Sequence, residues 1–361
     1  MIRRRFRNGL DPVLLVPVLA LSLIGGVGVY SAAEPGSSGL FIRQLIWIAL
    51  GIGVCGVLVS LDYRLYTDYA PVWYCGGLVL LVLVLLYGSE INGSRSWLVL
   101  GPIQIQPSEM GKLAVLLTLA KSLAGLNRRH PGMWHLLKVG FLTLVPVVLV
   151  ALQGDLGTAL MYLPIVLGIV VVAGLGKRVL VWSMVAVLCA SPAVWIYLKD
   201  YQKQRILTTL DPELDPQGIG YQTRQSQIAI GSGGVLGRGI GQGSQSHFGF
   251  VPEIHSDFIF ALLAEETGLV GAGVILLLYL LVLMRLIRIA AEARDRTVIL
   301  VVTGVVSMIS SHVLVNVGMA LGLLPPIGIP LPLLSYGGSF TIVTFSALGV
   351  ALSAQSQSYV N

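Results

Sequence analysis

The residues that could carry chemistry stand in a few polar segments, and the segment "HSDFIFALLAEETGLVG" holds three carboxylates. Asp257 directly precedes an apolar run, and Glu265 and Glu266 lie inside that run. Ionisable residues in membrane spans are expensive and are often functional. If a helix begins at Ser256 or Asp257, Asp257 heads a stripe of small residues against which a helix or a ligand can pack. A helix-capping aspartate explains the position just as simply.

Two further segments place ionisable residues at expected helix starts. In "QPSEMGK", Glu109 suits the positive end of a helix dipole, which is a sufficient structural account. Lys112 follows three residues later on the same face, so the two side chains can pair at the edge of the hydrocarbon. A substrate-facing role for this pair is an equal alternative. In "LQGDLGTAL", Asp155 could be nothing more than the N-cap of the next helix.

Glycines and prolines mark two other segments. The glycine spacing in "IAIGSGGVLGRGIGQGSQSHFGF" is not a phosphate-binding P-loop, because no GK[ST] follows it. Glycines permit positive φ and anion-binding concavities, so with Arg238 inside the segment and Arg224 before it, a phosphate-bearing ligand and plain loop flexibility are equally consistent. The segment "GLLPPIGIPLPLLSYGGS" cannot be a regular helix, and we expect it to roof or line a cavity beside the membrane.

Composition identifies the elements that must position these residues. Only 11% of the 361 residues are charged and 55% are hydrophobic, with a mean hydropathy of +0.84. A soluble domain carries roughly one-quarter charged residues, so the chain is predicted to be an all-α polytopic membrane protein. Runs of about 17 to 25 apolar residues predict about ten transmembrane helices, of which the fourth and fifth are the least regular, near 13–31, 42–61, 71–88, 109–126, 137–153, 156–175, 178–198, 264–287, 299–321 and 340–355.

Basic residues set the predicted orientation of these helices. Most of the 23 Lys and Arg residues fall in short loops on one side when both termini are cytoplasmic. The net charge of +6 therefore reflects topology and attraction to an anionic leaflet, and nucleic-acid binding is not expected. We predict one domain over residues 1–361, with a long extracytoplasmic loop at 199–257 between the seventh and eighth helices. No internal repeat is visible, and the first span is interpreted as an uncleaved helix.

Four blocks of this sequence resemble those of the SEDS family (shape, elongation, division and sporulation). They are "NGSRSWLVLGPIQIQPSEMGK", "QGDLGTAL", the long outer segment "RILTTLDPELDPQGIGYQTRQSQIAIGSGGVLGRGIGQGSQSHFGFVPEIHSDFIFALLAEETGLVG" and "NVGMALGLLPPIGIPLPLLSYGGS". They stand in the family's order and span nearly the whole chain. Within the family, "GIPLPLLSYGG" is similar to the elongation branch, whereas the division branch tends to carry "GLTLP".

The resemblance implies a peptidoglycan glycosyltransferase of the bacterial cytoplasmic membrane. It would polymerise lipid II at the outer face during cell elongation and work with a class B penicillin-binding protein that crosslinks the product. Asp257 matches the family's essential aspartate. The family more often has arginine directly before the tryptophan that corresponds to Trp97, whereas here Ser96 stands there and Arg95 lies one residue earlier. The predicted substrate-binding residues are Glu109, Lys112, Asp155, Arg95, Trp97, Arg224, Arg238, His255, Glu265 and Ser335.

The implied reaction fits one carboxylate plus cations, because a pyrophosphate leaves as an anion and needs no second acid of the glycosidase kind. Asp257 is the candidate general base, with a pKa raised by partial burial. Arg238, Arg224 or Lys112 could face the pyrophosphate, or a divalent cation (Mg²⁺ or Mn²⁺) could do so. His255 either orients Asp257 or faces water. A lipid flippase or transporter is the main rival function, and a scaffold that only recruits the crosslinking partner is a third.

Overall fold

The computed structural model describes residues 11–33, 39–91, 93–101, 103–125, 133–174, 195–196, 200–210, 218–243 and 253–358. Helices dominate these residues. They are α1 (Pro12–Ala32), α2 (Gly39–Ser60), α3 (Tyr63–Asp68), α4 (Ala70–Tyr87), α5 (Pro107–Ala124), α6 (Met133–Leu152), α7 (Leu156–Ala173), α8 (Asp200–Leu210), α9 (Ile219–Ser232), α10 (Ile259–Glu292), α11 (Arg296–Ala320) and α12 (Gly338–Ser358).

The helices correspond to nine of the ten predicted spans, and the range 178–198 lies almost entirely outside the described residues. Within the described part of the chain, seven helices are long and apolar enough to cross a membrane, namely α1, α2, α4, α7, α10, α11 and α12. Helix α5 carries Glu109 and Lys112, and α6 offers a shorter apolar stretch at Leu137–Leu152. The polytopic helical fold is confirmed, and the exact number of spans stays a prediction.

Helix α10 packs against α1 and α11, while α12 packs on α2. Helix α5 packs against α4, α7 and α11. Small residues permit the close approach of α2 and α12: a Cβ at Gly51 would lie 2.5 Å from the ring of Phe345, and one at Gly349 would lie 3.0 Å from Cα of Cys55. Such small-residue contacts are how helices pack closely in a membrane.

A small antiparallel sheet precedes α5, in the interval between the third and fourth predicted spans. Its strands are β1 (Ser89–Ile91), β2 (Ser94–Leu100) and β3 (Ile103–Ile105), in the order β1-β2-β3. Val99 pairs with Gln104, and the backbone N–H of Arg95 donates to the Gln153 carbonyl across 2.8 Å. The sheet therefore ties the start of α5 to the turn that precedes α7.

The segment predicted as a long loop also contains structure, because α8 and α9 lie within residues 199–257. Helix α9 packs against α10. Helix α10 is broken at Gly268, which has φ 68° and ψ −166°. Only glycine adopts this conformation without strain, so the break depends on the glycine at this position.

Candidate active site

Asp257 lies in a tight turn that leads into α10. The backbone N–H groups of Ser256 and Asp257 donate to the Glu253 carbonyl across 3.1 and 3.0 Å. Glu253 has φ 52°, a left-handed conformation that is uncommon for a residue with a side chain. The N-cap of α10 is Phe258, which makes no side-chain capping hydrogen bond. Helix α10 therefore begins two residues beyond Asp257, and the interpretation of Asp257 as a helix cap is wrong, because the turn itself closes the helix start.

The proline-rich segment at 321–337 is non-helical, as predicted, and it fastens the turn through Ser335. The Ser335 hydroxyl donates to the Ser256 carbonyl across 2.5 Å and accepts from the Leu331 N–H across 2.7 Å. The Tyr336 N–H donates to the His255 carbonyl across 2.9 Å. Ser335 is 1% exposed, so in this structure it links two backbone segments.

A second connection joins the same segment to Asp257 itself. Asn316 of α11 donates through Nδ2 to the carbonyls of Asp257 and Ile329, at 2.8 and 2.7 Å. Gly328 faces the Asp257 carboxylate, and a Cβ built on it would lie 3.6 Å from Oδ2. Leu333 has φ 68° and, with Glu253, is one of the two described non-glycine residues with positive φ. One strained residue therefore lies in the turn that holds Asp257, and the other lies in the segment that Ser335 joins to this turn. Strained backbone of this kind clusters at functional sites.

The electrostatic surroundings of Asp257 suit a general base. Burial raises the pKa of this carboxyl from 3.8 to about 7, and the neighbouring charges of Glu253 and Asp155 act in the same direction. The Arg205 guanidinium and a hydrogen bond from Ser256 act in the opposite direction. The side chain keeps a partly accessible face. A carboxyl with a pKa near neutrality exchanges a proton readily at physiological pH.

Arg205 was not among the residues chosen from the sequence. It lies on α8, half-buried, and is close enough to Asp257 to lower its pKa. Arginine recognises phosphate oxygens through a planar fork of donors. The signal in the sequence was a basic segment, "YQKQRIL", at the start of the long outer loop, but nothing in that pattern identified which cation would reach Asp257.

Asp155 is the N-cap of α7, as one of the two interpretations held. Its Oδ1 accepts from the Thr158 N–H at 3.0 Å, and its Oδ2 accepts from Gln106 Nε2 at 2.9 Å. The start of α7 packs against the proline-rich segment, where a Cβ on Gly157 would lie 2.3 Å from the Ile327 carbonyl oxygen. Capping thus brings the Asp155 carboxylate into the electrostatic neighbourhood of Asp257, so the two interpretations are compatible.

Glu109 and Lys112 form the pair that their spacing predicted. Lys112 Nζ lies 2.8 Å from Glu109 Oε1 and 2.9 Å from Nε2 of His312 on α11. Lys112 is fully buried and Glu109 is 2% exposed. The structure places both side chains inside the bundle, in a network with His312, and their contact with substrate stays a prediction.

The glycine-rich segment closes the break in α10. The N–H groups of Arg238 and Gly239 donate to the carbonyls of Glu265 and Glu266, each across 3.0 Å. The Leu269 N–H donates to the Gly234 carbonyl across 2.9 Å. These bonds supply partners for backbone groups that the broken helix leaves without helical ones. The glycines at 234, 237, 239 and 241 have positive φ and allow this close approach. Two N–H groups that an anion would need are thereby occupied.

The other predicted substrate-binding residues differ in exposure and in their partners. Arg224 and Arg238 have exposed side chains on α9 and in the glycine-rich segment. Glu265 is fully buried, and its Oε1 accepts from the Ser232 hydroxyl at 3.4 Å. Glu266 accepts from the Ser31 hydroxyl of α1 and from the Gly241 N–H, so its carboxylate joins α10 to α1 and to the glycine-rich segment.

Neighbouring side chains of strand β2, in the block "NGSRSWLVLGPIQIQPSEMGK", point to opposite faces of the strand. Ser96 is 1% exposed and the Arg95 side chain is exposed, because successive side chains of a strand point to opposite faces. A one-residue shift therefore moves the arginine to the other face of β2. Trp97 is half-buried on the same strand. His255 packs on Tyr336 with ring centroids 5.6 Å apart, and it makes no hydrogen bond to Asp257, a residue that the structure also describes.

Across the ranges described above, no three His, Cys, Asp or Glu side chains come together in a way that could hold a metal ion. The carboxylates near Asp257 act on it through their charge, and the described donors do not form a ligand set for a resident cation. The divalent cation considered from the sequence therefore stays a prediction.

The sequence was compared with known protein families and with individual proteins. The model of a family described as a cell cycle protein, FtsW/RodA/SpoVE, matches residues 12–360. The chain belongs to the FtsW/RodA/SpoVE family. The family member MrdB of Escherichia coli (strain K12), named a peptidoglycan glycosyltransferase, is 40% identical over 347 residues, which are 95% of this chain and 93% of that protein. RodA of Treponema pallidum (strain Nichols), with the same activity in its name, is 32% identical and covers 98% of this chain and 99% of its own length.

Two solved structures of the family share the fold. One comes from work described as "Structural coordination of polymerization and crosslinking by a peptidoglycan synthase complex". It aligns with a TM-score of 0.83 at 37% identity, covering 97% of this chain and 99% of that chain. The crystal structure of the rod shape determining protein RodA of Thermus thermophilus aligns with a TM-score of 0.73 at 34% identity, covering 97% of each chain. The fold expected from the SEDS resemblance is confirmed.

Proposed function

We propose that this FtsW/RodA/SpoVE family member is a peptidoglycan glycosyltransferase that polymerises lipid II at the outer face of the bacterial cytoplasmic membrane. The names of its relatives support the activity. The observation on which we base the proposal is Asp257, whose carboxyl has a pKa of about 7, follows the strained residue Glu253 in a tight turn and faces Gly328. Both termini would be cytoplasmic, which the distribution of basic residues favours.

Asp257 would act as the general base. Its ionised carboxylate accepts the proton of the acceptor sugar hydroxyl as that oxygen bonds to the anomeric carbon of the donor lipid. The bond between the anomeric carbon and the phosphate oxygen breaks, and the lipid pyrophosphate leaves with the electron pair. The base is then regenerated by loss of the proton to water. A general base contributes roughly 10²- to 10⁴-fold to such a step.

Arg205 would stabilise the negative charge that develops on the departing pyrophosphate. Of the cations considered in the sequence, Lys112 is fully buried, whereas Arg224 and Arg238 are exposed. Arg205 is half-buried and acts electrostatically on Asp257. A fixed cation at the position where charge develops contributes more than one in bulk water, because water is excluded from the site.

A class B penicillin-binding protein is the partner that we propose. The support is the solved synthase complex, whose description couples polymerization to crosslinking. The glycan strand produced by this chain would pass to that partner. Elongation of the cell wall is the process that we assign to the pair, because relatives carry the names MrdB and RodA.

The test is polymer formation from lipid II by the purified chain with its penicillin-binding partner, whose crosslinking is blocked by a β-lactam. Wild type should yield glycan chains on a gel, and Asp257→Asn should yield none while staying folded, since the amide cannot accept the proton. Asp200→Asn makes the same substitution at an exposed residue of α8 and should behave as wild type. Polymerisation by Asp257→Asn at the wild-type rate would exclude Asp257 as the base. Failure of wild type would favour the flippase, which transport across vesicles then tests.

A further inference from the structure

A buried histidine joins the Glu109–Lys112 pair to the segment that faces Asp257. His312 of α11 is 1% exposed. Its Nε2 lies 2.9 Å from Lys112 Nζ, and its Nδ1 lies 3.2 Å from the Pro330 carbonyl oxygen. Its ring packs on Phe340 of α12, with centroids 5.0 Å apart. The side chain therefore contacts α5, α12 and the proline-rich segment at once.

The two partners of His312 determine where its proton lies. A carbonyl oxygen only accepts hydrogen bonds, so Nδ1 must carry the proton that it donates to Pro330. A lysine ammonium only donates, so Nε2 must accept from Lys112. The ring is thus neutral, with its proton on Nδ1, and a charged ring would point an N–H at the ammonium. The tautomer of a histidine is commonly fixed in this way by the bond at its other nitrogen.

The backbone next to Pro330 is hydrogen-bonded to the Asp257 turn through Asn316. Pro330, which accepts from His312, directly follows Ile329, whose carbonyl accepts from Asn316 at 2.7 Å. Asn316 also donates to the Asp257 carbonyl at 2.8 Å. Gly328 precedes these residues and faces the Asp257 carboxylate. The position of the Gly328–Pro330 backbone opposite Asp257 therefore depends on the hydrogen bond that holds Pro330.

We propose that His312 is a positioning residue: as a neutral Nδ1–H donor, it fixes the segment from Gly328 to Pro330 opposite Asp257. Lys112, which is paired with Glu109, fixes the orientation of the His312 ring. The proposal rests on the proposed glycosyltransferase function and assigns Lys112 a role through His312. Burial of the whole network supports this role, since Lys112 and His312 are 0% and 1% exposed. A buried network is stabilising only when every member finds its partner.

The kinetic test compares His312→Gln, which keeps one donor and one acceptor, with His312→Met, which keeps neither. We expect His312→Met to lower kcat about tenfold or more with KM changed less than about twofold, because misplacement of a catalytic group affects the chemical step. It should also shift the acidic limb of the pH profile to lower pH, since loosening the segment admits water to Asp257. The charges that set this limb are Asp257, Glu253, Asp155 and Arg205. His312→Gln should restore most of kcat.

Ser311→Ala is the matched control. Ser311 is the preceding residue on α11, is 7% exposed, and donates to the Met308 carbonyl of its own helix at 3.0 Å. Its loss removes a buried hydrogen bond without touching the network, so kcat and the pH limb should stay at wild type. Wild-type kinetics for folded His312→Met would overturn the proposal. A rise in KM at constant kcat would also overturn it, because it would place the network in direct contact with substrate.

A spectroscopic test depends on neither activity nor His312→Met. The chain has five histidines, and the nitrogen-15 signals lost in His312→Gln identify the ring of His312. They should report a neutral ring protonated at Nδ1. A charged ring, or a proton on Nε2, would overturn the inference even in an active enzyme. If wild-type protein fails to polymerise lipid II but shows the expected tautomer, the proposed function fails and the positioning network stands.

Discussion

Asp11 and Asp257 are two aspartates near opposite ends of α10, and their pKa values move in opposite directions. For both, burial acts to raise the pKa. At Asp11 the hydrogen bonds from Gln355 and Arg285 outweigh burial, and the pKa falls below 3.8. At Asp257 burial prevails, and the pKa rises to about 7. The comparison shows that the donors supplied by neighbouring helices, beyond burial, decide whether a carboxyl stays ionised.

The two environments serve different ends. Asp11 caps α1 through the Val13 N–H and receives Arg285 Nε at 2.6 Å and Gln355 Nε2 at 2.9 Å, so it joins α1, α10 and α12. Asp257 is held by its backbone, and its carboxylate faces Gly328. A carboxylate saturated with donors is a poor base, because its proton affinity is low. A carboxylate fixed by its main chain keeps its lone pairs for a substrate.

Removal of Arg205 should have the largest effect among the changes around Asp257. Arg205→Gln should lower kcat about 10²-fold, because a fixed cation is lost where charge develops on the leaving pyrophosphate. It should also shift the acidic limb to higher pH, since Arg205 lowers the pKa of Asp257. Steady-state polymerisation rates across pH 5 to 9 measure both effects. Lys203→Gln removes the same charge from the same helix and is the control. Equal effects of the two variants would show that only net charge matters.

The wild-type pH profile tests the raised pKa directly. The base must be ionised, so kcat/KM should rise with pH through about 7 and fall about tenfold per unit well below it. The profile is measured with the folded fraction monitored at each pH. A limb near 4 would mean that Asp257 titrates as an exposed aspartate does. In that case the contrast with Asp11 would vanish.

A smaller effect is expected when the negative neighbour of Asp257 is removed. Glu253 raises the pKa of Asp257, so Glu253→Gln should shift the acidic limb to lower pH and increase activity at pH 6 relative to wild type. The main-chain carbonyl of Glu253 still closes the turn, because the substitution changes only the side chain. Glu90→Gln, at an exposed carboxylate of β1, is the control. A shift to higher pH in Glu253→Gln would reverse the assigned sign of this interaction.

The sequence could predict the helices and the neighbourhood of the site, because apolar runs and helix-start residues are local signals. The pairing of Glu109 with Lys112 follows from their spacing alone. The role of Ser335 in fastening the turn and the proximity of Arg205 could not be predicted, since each depends on contacts between segments distant in sequence. His312 did offer a signal, an ionisable residue in the middle of an apolar span, but its partners come from two other elements. The hydrogen bonds between the glycine-rich segment and the break at Gly268 could not be predicted either, because they also join segments distant in sequence.

The smallest effect on catalysis should come from Asp11→Asn, which acts on stability. The amide still caps α1 but cannot pair with Arg285, and loss of this largely buried interaction should cost about 2 kcal/mol of unfolding free energy. Because the pKa of Asp11 is lowered, its stabilisation is present above 3.8 and is lost as pH falls below that value. Thermal unfolding in detergent between pH 3 and 7 should therefore show a Tm difference from wild type that narrows towards pH 3.

Activity per folded molecule should equal that of wild type, and Asp62→Asn, at the half-exposed N-cap of α3, should change Tm less. If Asp11→Asn lowers kcat while leaving Tm intact, the two ends of α10 are coupled in catalysis, and the division between a structural and a catalytic aspartate fails.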